Sequence, residues 1–418
     1  MSANVTARVA AGLATLALVA GCAAVTGSTS GDPHGPTGTG SSASAQPGGA
    51  PHTGSPSATG AAATHEVTAA PAMVAGPGER IVTLALPGGS YTPNPPEGST
   101  DDYRCFVLDL PADSSGFATG VQLVPGNPAV THHGILYQAY PEQVAAAEKL
   151  DAADPGEGYQ CFGGSQLPSR GNPISSLDDS DWLYAWAPGG KASGYPAGYG
   201  VPVPVGGKVV LQMHYNTRAA GAQPDNTVVR LRMAPTGADL KPIVTSLLPA
   251  PVELPCAAGQ TGPKCSRDAA MTSVVERFGS RSGALVAGLQ LLCGGDPQNP
   301  VAGATTSCTR TLSEPLTLFA VAGHMHLLGR SIYVDVNPGT PQQQRVLSIP
   351  NYDFDRQGAV PLAQPLQLSA GDKVRVTCTH DQTLRGKLPG VPAEPQYVLW
   401  GEGTTDEMCL GVLVSGKS

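Results

Sequence analysis

Glycine and proline cut this chain into short pieces, with 53 Gly and 40 Pro among its 418 residues. Proline removes a backbone donor and glycine adds disorder to be overcome, so long helices are disfavoured and short strands between turns are left. The apolar pattern agrees. Lys208–Tyr215 (KVVLQMHY) alternates with period two, setting Val210, Gln212 and His214 on one face and Val209, Leu211, Met213 and Tyr215 on the other. Leu316–His326 is a second strand, and others are expected at Ile81–Leu86, Tyr103–Leu110, Ile135–Ala139, Thr227–Met233, Ser331–Val336, Lys373–Thr379 and Tyr397–Gly401. The one helical stretch expected is Pro141–Leu150. Many short strands with Pro/Gly turns predict an all-β protein of antiparallel β-sandwiches.

The first 22 residues read as an export signal, with Arg8 as the one charge and an apolar run from Val9 to Ala20 too short to span a bilayer. The run ends in Val19-Ala20-Gly21-Cys22, which resembles the lipobox of bacterial lipoproteins, with Cys22 the lipidated residue after cleavage. An extracytoplasmic protein anchored to the membrane, or otherwise secreted, is expected. Residues 23–78 are Gly, Ser, Thr, Ala and Pro with few large apolar side chains, so they read as a disordered tether. His34, His52 and His65 are scattered through it and receive no role.

The remainder is long enough for two ordinary domains, with a boundary expected near Ala234–Gly237, giving 79–235 and 236–418. Charged residues make up 13% of the chain, about half the usual share. The net charge of −8 with no basic cluster excludes nucleic acid as a partner. Nine cysteines less Cys22 leave eight, an even number suited to four disulfides in an oxidising compartment. The short spacings suggest local Cys256–Cys265 and Cys293–Cys308 pairs, although four cysteines allow three connectivities.

With the cysteines so engaged, metal ligands would come from His and Met. Five of the six histidines after residue 78 lie in three motifs: Thr131-His132-His133-Gly134, Gln212-Met213-His214-Tyr215 and Gly323-His324-Met325-His326. Imidazole suits copper, iron, nickel and zinc, whereas the thioether of Met408, in Asp406-Glu407-Met408-Cys409, singles out copper. His324 and His326, two apart on a strand, project from one face and can chelate one ion. His132 and His133 are adjacent, so sharing an ion requires a bulge or bend, which Gly134 and Pro125-Gly126-Asn127-Pro128 make plausible. A lone His or Met is ordinarily a core or surface residue, and His380, outside the motifs, is read that way. The boundary would leave His132, His133 and His214 in the first domain and His324, His326 and Met408 in the second. Three ligands each leave a metal open to exchange, unlike a closed structural site.

At these residues the chain resembles the copper type II, ascorbate-dependent monooxygenases. The likeness covers most of 79–418 in order: YRC at Cys105, THHGILY at Thr131, YQC at Cys161, LYAWA at Leu183, VLQMHY at Val210, GHMHLLG at Gly323 and TDEMC at Thr405. It implies two jelly-roll-like domains facing each other across an open, solvated cleft, with two coppers per chain. His132, His133 and His214 would hold an electron-transferring copper. His324, His326 and Met408 would hold the copper that binds O2 and would be the catalytic set. Gln212 and Tyr103 match residues close to the first copper, and Cys105–Cys161 and Cys378–Cys409 match family disulfides. The implied reaction inserts oxygen into a substrate C–H bond, using O2 and a reductant such as ascorbate.

The departures lie where peptide-amidating members grip a carboxylate. Their Arg, Asn and Tyr positions correspond here to Ala322, Leu410 and Val412, which gives an apolar pocket without a carboxylate clamp. The resemblance therefore leads to a copper monooxygenase acting on a small or apolar substrate, and the tether to a monomer held near a membrane. The rival readings are an extracytoplasmic copper-binding lipoprotein that senses, buffers or delivers metal without catalysis, and an adhesive sandwich whose histidines are incidental.

Overall fold

Strands form where the sequence alternates, and long-range pairing then assembles them into sheets that no local pattern specifies. A computed structural model describes residues 71–417, apart from positions 98, 112, 113, 115, 172–179, 189, 191, 192, 204, 355, 389 and 390. The export signal, Cys22, the three tether histidines and most of the tether lie outside the described residues. In the first half the strands are β1 (Arg80–Ala85), β2 (Asp101–Leu108), β3 (Gly116–Val124), β4 (Thr131–Ala139), β5 (Tyr159–Gln160), β6 (Trp182–Trp186), β7 (Ser193–Gly194), β8 (Tyr199–Val203), β9 (Lys208–Asn216) and β10 (Val228–Met233). In the second they are β11 (Lys241–Pro249), β12 (Glu253–Leu254), β13 (Thr305–Thr311), β14 (Leu316–His324), β15 (Gly329–Val336), β16 (Gln344–Ile349), β17 (Val360–Leu368), β18 (Lys373–His380), β19 (Val398–Leu399) and β20 (Leu410–Lys417).

One nine-stranded sheet runs through both halves in the order β1-β10-β3-β8-β11-β20-β14-β17, with β7 beside β3. Its halves join through a short parallel pairing of β8 with β11, Lys241 opposite Tyr199 and Pro242 opposite Gly200. A five-stranded sheet, β5-β2-β9-β4-β6, and a four-stranded sheet, β13-β18-β15-β16, complete the layers. The first core combines Phe106, Leu136, Leu211 and Met213 of the five-stranded sheet with Val121, Leu123, Val229 and Leu231 of the large one. The second combines Leu318, Val321 and Leu413 with Ile332, Val334, Val374 and Val376 of the four-stranded sheet. The described residues belong to one compact unit. The fold is all-β and sandwich-like, with both sandwiches built on a common sheet.

Helix α1 spans Pro141–Ala153, as the local composition indicates. Two further helices were not expected: α2 (Arg267–Phe278) and α3 (Ser280–Leu292). Their signals are present in the sequence. Residues 264–296 contain no proline, Ser266 accepts from the Ala269 N–H as an N-cap, and Gly279 takes φ 82° between the helices. The Gly/Pro count of the whole chain hides this local gap.

Among the described residues four disulfides form, Cys105–Cys161, Cys256–Cys265, Cys293–Cys308 and Cys378–Cys409. Such a set belongs to an oxidising compartment. No helix of the described residues is long and apolar enough to cross a membrane.

Candidate metal centre

The central strands of the five-stranded sheet set three aromatic side chains in one row. In register, Tyr103 of β2 pairs with His214 of β9, and His214 pairs with His133 of β4. The β4–β9 ladder slips between Thr131 and His133, so His132 is the extra residue of a bulge. That bulge overrides the strict alternation which would otherwise send His132 and His133 to opposite faces. One ring nitrogen from each of His132, His133 and His214 lies within 4.8 Å of the others. On β9, Val209, Leu211, Met213 and Tyr215 enter the first core, leaving His214 and Gln212 on the other face.

The tyrosine ring of Tyr103 stacks on His214, with centroids 4.0 Å apart and planes at 11°. Gln212 turns to the Cys105–Cys161 disulfide instead: its Nε2 donates to Cys161 O at 2.9 Å, and Tyr137 Oη donates to its Oε1 at 3.4 Å. Asp101, two residues before Tyr103, takes the His214 Nε2–H at 2.9 Å. This leaves the His214 Nδ1 lone pair facing His132 Nδ1, 3.1 Å away.

The second group lies where β14 ends. His324 is its last residue and His326 follows in the turn, with ring centroids 5.2 Å apart. Both rings have one nitrogen fixed. The His324 Nδ1–H donates to Gln357 Oε1, and Gln357 Nε2 in turn donates to Phe354 O, which settles the amide's orientation. The His326 Nδ1–H donates to Asp406 O at 3.2 Å. Each Nε2 is thereby left as the ring's lone-pair atom. In the β14–β20 ladder His324 opposes Leu410. Two further residues in that antiparallel register would set Met408 across from His326, and the contact from His326 to Asp406 O keeps the segments adjacent.

Glu407 fastens this corner. Its carboxylate accepts from the backbone N–H of His326 and of Leu328, and it faces His380 Nε2 at 3.3 Å. The same His380 nitrogen donates to Met408 O at 3.1 Å. Burial alone would depress the His380 imidazole, but the Glu407 carboxylate outweighs it and raises the pKa. Burial likewise works against Glu407, and His380 nevertheless holds it below the usual carboxylate range. They are a buried ion pair.

The two groups meet directly. His133 and His324 stack at 5.8 Å, and Phe354 lies 4.6 Å from His132 and 6.3 Å from His326. The resemblance implies an open, solvated cleft; here the rings are in contact. Tyr103 Oη also donates to Glu402 O at 2.5 Å, Thr404 Oγ1 donates to Asp101 Oδ1 at 2.9 Å, and Phe162 stacks on Phe278 at 4.1 Å. Two cavities, of about 430 and 640 Å³, have no histidine in their linings.

The residues suit a metal. Burial drives His132 and His133 well below the ordinary imidazole range, reinforced by His214. Burial also lowers His324, against the Gln357 bond, and burial with His324 pushes His326 down to about 3. These four rings are neutral at pH 7, as ligands must be. His132 Nε2 is buried without a hydrogen-bond partner among the described residues. Three imidazoles form one donor set, and His324 with His326 form a pair that a thioether would make softer and more selective for copper.

Of the sequence-predicted residues, His132, His133, His214, His324 and His326 are brought together, with Tyr103 against His214. Sequence reasoning missed Asp101, Gln357, Phe354, Glu407 and the role of His380. Asp101 shares a strand face with Tyr103 by period two, and Glu407 stands inside the Met408 motif, so both had a local signal. Gln357 and Phe354 come from the β16–β17 connection and had none.

Residues 295–414 match the family model of the copper type II ascorbate-dependent monooxygenase, C-terminal domain. No curated protein matches the chain. Solved structures similar to it include the major capsid protein P2 of bacteriophage PM2, at 10% identity and TM-score 0.29 over 81% of this chain and 97% of that one. PNGF-II is similar at 10% identity and TM-score 0.33, over 81% and 65%. An allantoicase follows at 9% identity and TM-score 0.18, over 82% and 90%. Likenesses this distant say nothing about activity. The segment 295–414, which carries His324, His326 and Met408, is thus similar to the C-terminal domain of the copper type II ascorbate-dependent monooxygenases.

Proposed function

We propose that this protein is a copper-dependent monooxygenase that hydroxylates a C–H bond of a small or apolar substrate, using O2 and an external reductant such as ascorbate. The observation that carries the reading is the meeting of two chemically different donor sets, the second inside the family-matched segment. In this reading His132, His133 and His214 hold one copper, and His324, His326 and Met408 the other. Copper would supply one-electron redox chemistry and O2 activation.

The chain's own part is positional. Asp101, Gln357 and Asp406 O present chosen ring nitrogens, burial keeps His132, His133, His324 and His326 neutral, and Phe354 packs against His132. Ala322 and Val412 are direct cross-strand neighbours, and Leu410 is opposite His324. An Arg, Tyr and Asn there could grip a carboxylate; these apolar side chains cannot. A glycine-extended peptide turned over efficiently would contradict this substrate assignment. We further read 79–235 and 236–418 as two copper domains, and Cys22 as a lipid anchor for a monomer outside the cytoplasm.

Metal analysis with paramagnetic resonance tests the core of this reading: two type 2 Cu(II) ions per chain are expected. Ascorbate-driven O2 uptake should be abolished in Met408→Ala with one copper retained. Two coppers without O2 uptake in the wild-type protein would instead identify a carrier, and no copper would dismiss both.

A further inference from the structure

Asp101 lies outside every motif that suggested a ligand, yet three side chains converge on one of its oxygens. Its Oδ1 accepts from His214 Nε2 at 2.9 Å, Asn216 Nδ2 at 2.8 Å and Thr404 Oγ1 at 2.9 Å. Asn216 continues β9, whereas Thr404 belongs to the loop that precedes Met408. Tyr103, on the same strand, covers the His214 ring and donates to Glu402 O in that loop. A single strand edge therefore holds the ring by its nitrogen and by its face. Both holds also reach the loop of the second donor set.

We infer that Asp101 is a positioning residue: it keeps His214 protonated at Nε2, so that Nδ1 is the metal-binding atom, and it ties that choice to the loop leading to Met408. The inference rests on the copper reading above. An imidazole has two nearly equivalent tautomers, and the hydrogen bond at one nitrogen decides which nitrogen keeps its lone pair. A wrong tautomer would place an N–H where His132 Nδ1 already points, 3.1 Å away. Loss of such an outer partner ordinarily weakens metal binding by about 10–100-fold.

The test uses the full chain with 15N-labelled histidine, in the metal-free state at alkaline pH. His214 is expected in the Nε2–H tautomer in the wild-type protein and in a mixture in Asp101→Ala. Copper titration of the same samples should show one of two equivalents weakened about 10–100-fold in Asp101→Ala. Asp101→Asn should restore both readouts, since the three donors require an oxygen at that position and an amide can supply it. An unchanged tautomer and affinity in Asp101→Ala would overturn the inference. So would a wild-type His214 in the Nδ1–H tautomer, a measurement that needs no variant to fold. If the wild-type protein binds no copper the monooxygenase reading fails, while the tautomer measurement still reports on Asp101 separately.

Discussion

The two histidine groups are built by opposite means. His132, His133 and His214 lie within paired strands, where a bulge and the neighbouring β2 set their geometry. His324 and His326 straddle a strand end, and a buried carboxylate holds the turn by its backbone N–H groups. A ladder fixes position through many weak bonds, so losing one contact has a local effect. The turn depends on few side chains, Glu407 and Tyr352, whose hydroxyl bonds the Met325 N–H at 2.9 Å and the Met325 O at 2.7 Å. The common device is a glycine beside each histidine pair: a Cβ on Gly134 would meet Leu123 at 2.6 Å, and one on Gly323 would meet Ile332 at 2.8 Å. Each glycine lets its histidine strand settle onto the core behind it.

The sharpest challenge to this contrast is Glu407→Ala, which leaves His380 and two backbone donors without their partner. It should cost about 3–5 kcal/mol in a denaturant titration. A small loss would mean that the turn is held elsewhere. A second probe is pH. Burial, with Asp406 nearby, raises Glu402 to about 7 from an ordinary 4.5. The folded protein then retains a proton that the unfolded chain releases between those values, so stability falls as pH rises through that window. The drop should be on the order of 1–3 kcal/mol, read as the difference between wild type and Glu402→Gln.

Gly134→Ala and Gly323→Ala should each cost about 1–3 kcal/mol by overpacking. Copper titration should show the first weakening the His132 group and the second the His324 group, and identical patterns would dissolve the comparison. The smallest effect expected is at the contact between the halves. A double-mutant cycle of Phe162→Leu and Phe278→Leu should give a coupling of about 0.5–1.5 kcal/mol.

Much of this was legible locally. Period-two alternation located most of the strands carrying the histidines, and adjacency of His132 and His133 called for the bulge that β4 contains. The helices α2 and α3 were legible but obscured by the average composition, since their Ser266 cap and proline-free run are local signals. The contact of His133 with His324 was not legible, because it depends on segments nearly two hundred positions apart in sequence.

The sequence by itself determined the kinds of side chain available: neutral-capable imidazoles, the thioether of Met408, cysteines in a compartment that oxidises them, and apolar residues at Ala322, Leu410 and Val412. These follow from residue identity and from the two-residue repeat of a strand. Tertiary structure decided which atoms face one another. It chose Nδ1 of His214 through Asp101 and Nε2 of His324 through Gln357, and it joined the two sandwiches through two residue pairs between β8 and β11. A tautomer is set by a single hydrogen bond whose partner comes from another strand or loop, so it is specified only when the chain has closed around it.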